Sequence, residues 1–88
     1  MRTFLDRFLE YIESPEGFDC VEFQYDGIAY QVSSGHLICY TDKGGKDHEY
    51  LFPKDIDTLL DAKVLHDGKS LREIWSKAGE FELSPDFY

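Results

Sequence analysis

The chain has 88 residues, enough for one small domain, and carries 18 acids against 9 bases for a net charge of −9. Phosphate-backbone binding needs clustered Lys and Arg, so direct nucleic-acid binding is excluded as an expectation. At 16% aromatic residues the chain is too rich in ring side chains for a disordered acidic tail, and no apolar run approaches the roughly 20 residues of a membrane span.

In chain order, Thr3 caps a first helix, with Asp6 in near-capping-box spacing. Leu5, Phe8, Leu9 and Ile12 follow the i, i+3, i+4, i+7 pattern. Pro15 stops the helix at Ser14, and Ser14-Pro15-Glu16-Gly17 reads as a turn. Two alternating runs at 20–25 and 28–33 then flank Asp26-Gly27, a dipeptide that favours the two-residue type I′ hairpin. That turn pairs Tyr25 with Ile28, Phe23 with Tyr30 and Val21 with Val32.

Two further tight turns, at Ser34-Gly35 and Gly44-Gly45, predict strands at 36–41 and 47–52. They pair Val32 with Leu37, Tyr30 with Cys39, Thr41 with His48, Cys39 with Tyr50 and Leu37 with Phe52. The expected core face is Val21, Phe23, Tyr25, Ile28, Tyr30, Val32, Leu37, Cys39, Tyr50 and Phe52. The outer face is Cys20, Glu22, Gln24, Ala29, Gln31, Ser33, Ile38, Tyr40, Glu49 and Leu51, apolar only towards its later strands.

Pro53 ends the sheet, and a short helix follows from Asp55 to Asp61. Ser70 with Glu73 opens a last helix through Leu71, Ile74, Trp75 and Ala78, with Gly79 at its end. Residues 80–83 alternate and suit an edge strand. Residues 84–88 read as a loose tail in which Phe87 and Tyr88 have the option of packing down. The expected fold is a single α+β domain over 1–88: a helix, a four-stranded antiparallel meander and two short helices. The helices form a second layer over one sheet face.

Chemistry is sparse. His36, His48 and His66 have no Cys or His at metal-ligand spacing, and the expected register sends Cys20 and Cys39 to opposite faces. That placement argues against both zinc and a disulfide. Cys39 and His48 would share the core face, where Cys39 reads as a small apolar filler rather than a nucleophile. Gly44-Gly45 between Lys43 and Lys46 has no phosphate-loop spacing. No catalytic residue, metal or cofactor is expected, and the chain reads as a non-enzyme.

Two surface features remain. Residues 8–42 hold seven acids and no base. Glu10, Glu13, Glu16, Asp19, Glu22 and Asp26 form a candidate acidic surface for a basic protein partner. Ile38, Tyr40 and Leu51 form a candidate apolar interface, suited to self-association or a partner. The expected function is a small non-catalytic, acidic protein-binding module, with homodimer formation as an option. The alternative is an antitoxin-like or DNA-mimic inhibitor of a basic nucleic-acid-binding partner. The chain resembles, in type only, the small accessory proteins of bacteria and their mobile elements. Two Cys, too few for a disulfide scaffold, and the lack of a signal-peptide pattern lead to a cytoplasmic expectation.

Overall fold

The computed structural model describes residues 2–15, 19–34 and 36–87. Helix α1 spans Phe4–Glu13. The Thr3 hydroxyl accepts the Asp6 N–H at 3.2 Å, and the Asp6 carboxylate accepts the Thr3 N–H at 3.0 Å. This reciprocal box satisfies two amide donors that the first turn leaves without partners. Phe4 and Phe8 are fully buried beneath the helix.

Strands β1 (Cys20–Tyr25) and β2 (Ile28–Ser33) form the expected hairpin in the expected register. Asp26 and Gly27 both hold positive φ, 52° and 77°, as a type I′ turn requires. The expected turn at 14–17 and the Ser34-Gly35 turn include residues outside the described set.

The next connection departs from expectation. Ser33 pairs with Leu37, so three residues bridge β2 and β3 (Leu37–Thr41) instead of two. His36 supplies the left-handed residue at φ 63°, and its N–H bonds to Ser33 O at 3.0 Å. The added residue rotates β3 by one position. Val32 faces Ile38 and Tyr30 faces Tyr40, so Ile38 and Tyr40 enter the core. Leu37 and Cys39, expected inside, turn to the other face.

The following loop restores the phase. Thr41 pairs with Asp47 across five residues, 42–46, before β4 (Asp47–Leu51). The Asp42 carboxylate organises this loop by accepting the N–H groups of Gly44 at 2.9 Å and Lys46 at 3.0 Å. A second slip of opposite sense leaves Tyr50 facing inward, as expected, with His48 beside it.

Helix α2 (Ile56–Asp61) starts at Asp55, whose carboxylate accepts the Thr58 N–H at 2.8 Å. Helix α3 (Leu71–Trp75) starts at Ser70 and ends sooner than its apolar pattern implied, before Ala78 and Gly79. Arg72 joins the two helices through ion pairs to Asp57 at 2.9 Å and Asp61 at 2.6 Å.

Residues 80–83 form a turn rather than a strand, and Leu83 O accepts the Gln24 N–H at 2.8 Å. The edge strand is instead β5, Asp86–Phe87, within the stretch expected to be loose. It pairs Phe87 with Val21 and Asp86 with Glu22, making a five-stranded sheet of order β4-β3-β2-β1-β5. Phe87 lies against Tyr11 with ring centroids 4.3 Å apart, and the Arg7 guanidinium sits 4.4 Å from the Phe87 ring.

The fold is therefore α+β with an antiparallel sheet. One buried cluster joins Val21, Phe23, Tyr30 and Ile38 of the sheet to Phe4, Phe8, Leu59, Leu60, Leu71 and Trp75 of the helices. Phe4 and Phe23 both pack on the Trp75 indole, with centroids 4.9 and 5.3 Å away.

Candidate protein-docking surface

Strand alternation sends one side-chain set into that cluster and the other away from it. The register places Asp86, Glu22, Gln31, Cys39 and Glu49 in one row across all five strands. Asp47 and Thr41 lie on one flank of this row, and Cys20, Ser33, Leu37 and Leu51 on the other. Glu22, Asp47, Glu49 and Asp86 are all exposed. The five strands contain no Lys or Arg.

Among the described residues these four carboxylates form no ion pair. Glu22 and Asp86 are direct cross-strand partners, an arrangement that like charge disfavours. A shallow depression of about 590 Å³ crosses this face, lined in part by Glu22, Ala29, Gln31, Cys39 and Glu49.

Both cysteines lie here, correcting the expectation of opposite faces. The Gln31 amide bridges them, donating to Cys20 Sγ at 3.5 Å and accepting from Cys39 Sγ at 3.9 Å. Both thiols are free. Burial and the nearby Glu49 and Asp47 push the Cys39 thiol up, which keeps it protonated. His48 lies on the opposite side of the sheet, so the two do not form a nucleophile–base pair. Among the described residues no group of three His, Cys, Asp or Glu side chains is placed to hold a metal ion.

The other polar cluster lies at the end of the sheet that carries the Asp26-Gly27 turn and the 42–46 loop. The Tyr30 hydroxyl contacts His66 Nδ1, and His66 Nε2 lies 2.8 Å from Asp26. Tyr25 donates to Asp67 at 2.6 Å, and Tyr40 donates to Val64 O at 2.9 Å. His48 Nε2 lies 2.8 Å from Asp42. The hydrogen bond from His66, aided by Lys43, holds the Asp26 carboxyl below its usual range. The bond from His48, with the Lys46 amide, does the same for Asp42.

The Tyr30–His66–Asp26 chain links side chains of the sheet to the segment between α2 and α3. Tyr30 is 1% exposed, and burial lifts its hydroxyl to about 12. The hydrogen bond to Asp67 lifts Tyr25 likewise to about 12. These contacts fasten the segment between α2 and α3 to the sheet. Beside them lies a groove of about 500 Å³ lined by Tyr40, His48, Tyr50, Lys63 and Val64.

The acids singled out from sequence do not share one face. Glu10 projects from α1 and pairs with Arg2, and Glu13 is exposed at the end of the same helix. Asp19 is exposed ahead of β1, and Asp26 is engaged at the hairpin turn. Glu16 lies outside the described residues. Only Glu22 occupies the open sheet face, where it joins Asp47, Glu49 and Asp86.

The apolar candidate is corrected as well. Ile38 is fully buried and Tyr40 is 7% exposed, both because of the one-residue rotation of β3. Leu51 alone is exposed, at 60%, with Leu37 as its cross-strand neighbour. Charge counted by strand face, rather than by segment, is the signal that would have found the acidic face. Among the described residues no helix is long and apolar enough to cross a membrane. Comparison with known protein families, curated proteins and solved structures finds no match to this chain.

Proposed function

We propose that this chain is a non-catalytic protein-binding module whose uncovered sheet face docks a basic protein partner. The supporting observation is the row Asp86, Glu22, Gln31, Cys39 and Glu49, bearing uncompensated carboxylates on an exposed five-stranded surface. In a two-layer reading, with helices on one side, this is the side of the sheet left for recognition. Charge complementarity would speed encounter and fix orientation more than it would add affinity.

A basic partner is favoured over a second copy, because face-to-face self-docking would stack like charges. The DNA-mimic alternative draws less support. Along the row, carboxylates stand on β5, β1 and β4, with Gln31 and Cys39 between them, not at an even phosphate-like spacing. Two free thiols suit a reducing compartment, which supports a cytoplasmic location in this reading.

The test is an amide NMR titration of the isotope-labelled chain with a Lys-rich peptide. Shifts are expected at Glu22, Gln31, Cys39 and Glu49. Binding should weaken as salt shortens the screening length from roughly 30 Å to roughly 8 Å. Shifts confined to α1, or binding indifferent to a Glu22→Gln/Glu49→Gln double substitution, would overturn the proposal.

A further inference from the structure

Resting on that docking role, we propose that β4 accepts an extended basic segment of the partner as an added antiparallel strand. β4 is the outermost strand, paired only with β3. The hydrogen bonds Asp42 N–H to Lys46 O at 2.9 Å and Phe52 N–H to His36 O at 3.0 Å set the phase of this ladder. In that phase Tyr40 exchanges backbone bonds with His48, and Ile38 with Tyr50. The backbone groups of Asp47, Glu49 and Leu51 therefore point outward, along the free edge. Among the described residues no other segment bonds to them.

The same three residues carry side chains on the open face: two carboxylates and the 60%-exposed Leu51. A strand pairing with them places its directly opposite side chains on that face. Basic residues there would meet Asp47 and Glu49, and an apolar one would cover Leu51. A second copy is disfavoured at this edge, since antiparallel pairing centred on Glu49 would set two Glu49 carboxylates side by side. Charged residues commonly deter such self-pairing.

The incoming strand's alternate side chains fall on the other side, beside His48 and Tyr50. There they meet the groove of about 500 Å³ bordered by Tyr40, Lys63 and Val64. Main-chain bonds at an edge with a pocket for alternate side chains are the physical basis of recognition by strand addition. Lys63 does not oppose a cation strongly, because it lies 3.6 Å from Glu73. The order of β4 makes the preferred segment apolar, aromatic, basic, apolar or aromatic, basic, running opposite Leu51 towards Asp47.

The experiment uses the intact chain and the capped peptide Thr-Leu-Tyr-Lys-Phe-Lys-Thr. One version is N-methylated at Leu and both Lys residues, the positions that bond to the edge. Another is N-methylated at Tyr and Phe, whose N–H groups point away. Strand addition predicts at least about tenfold weaker binding for the first only. It also predicts at least about tenfold slower amide exchange at Asp47, Glu49 and Leu51 with the unmethylated peptide.

Equal binding of all three peptides overturns strand addition and leaves basic docking on the face intact. So does failure of this peptide while a Lys-rich peptide still shifts Glu22 and Gln31. Failure of both peptides overturns the docking role as well.

Discussion

The Tyr30 hydroxyl on β2 accepts the backbone N–H of His66 at 3.2 Å and also meets that residue's imidazole at Nδ1. One buried phenol thus holds the loop between α2 and α3 through both main chain and side chain. Tyr30→Phe keeps the ring stack on Phe23, centroids 5.3 Å apart, and removes only the hydroxyl. The loss is expected to cost about 1–2 kcal/mol, because a part-buried N–H and ring nitrogen lose their partner. Denaturant unfolding measures it; a change below about 0.3 kcal/mol would contradict this account of the loop.

Ionisation of two tyrosines of this region and of four aspartates around the fold should erode stability at the two ends of the pH range. Tyr25 and Tyr30 ionise near 12 when folded, against 10.0 for the unfolded group. Their contribution is complete below pH 10 and is lost as pH rises towards 12. Asp26, Asp42, Asp55 and Asp67 are held below the ordinary 3.8. Their contribution is complete above that value and fades as pH falls through the folded pKa values. Thermal melts across pH should show a plateau with both flanks, and a Tyr30→Phe/Tyr25→Phe double variant should lose most of the alkaline one.

Glu22 and Asp86 face each other across β1 and β5. Glu22→Gln should leave stability unchanged or raise it by about 0.2–1 kcal/mol, since a like-charge cross-strand pair is relieved. Binding of a Lys-rich peptide should fall at the same time. Melting and peptide titration of one sample separate the two effects; a clear loss of stability would mean Glu22 has a structural role.

Gly27 holds φ 77° in the first hairpin, and a Cβ there would meet only Lys43 Cε, at an ordinary 3.8 Å. The cost of Gly27→Ala is therefore conformational, about 1–2 kcal/mol for a left-handed alanine. Urea unfolding should show it without a change in the cooperativity slope.

Cys20 and Cys39 are separated by Gln31 on the open face. Mild oxidation should leave them without an intramolecular disulfide, as mass spectrometry of the unreduced chain would read. Cys39 should alkylate more slowly in the folded chain than after denaturation, because burial raises its thiol pKa.

Local signals in the chain translated well into structure. The Thr3, Asp55 and Ser70 starts and the Asp26-Gly27 hairpin all depend on residues within three positions of one another. What escaped was loop length. Ser34-Gly35 reads as a two-residue turn, yet His36 takes up a left-handed conformation and lengthens it. That single residue exchanges Ile38 and Tyr40 for Leu37 and Cys39 at the core, because strand periodicity is two. Hydrophobicity alone does not choose between those pairs. The acidic face was hidden for a related reason: Glu22, Glu49 and Asp86 are distant in sequence and meet only through the register of four ladders.

The short strand β5 joins Phe87 to Val21, 66 positions apart, whereas the meander is built from neighbouring hairpins. Closing so long a loop carries a larger chain-entropy cost than closing a hairpin. Two ladder pairs, the Arg7–Phe87–Tyr11 stack and a contact of the Phe87 ring with Phe4, centroids 5.9 Å apart, hold it in place. The C-terminal segment should be the last piece to assemble and the first to peel away. When it lifts, the meander keeps its ladders, but β1 gains a bare edge and the Asp86 carboxylate leaves the acidic row. The same short strand thus decides whether the sheet has one bare edge or two.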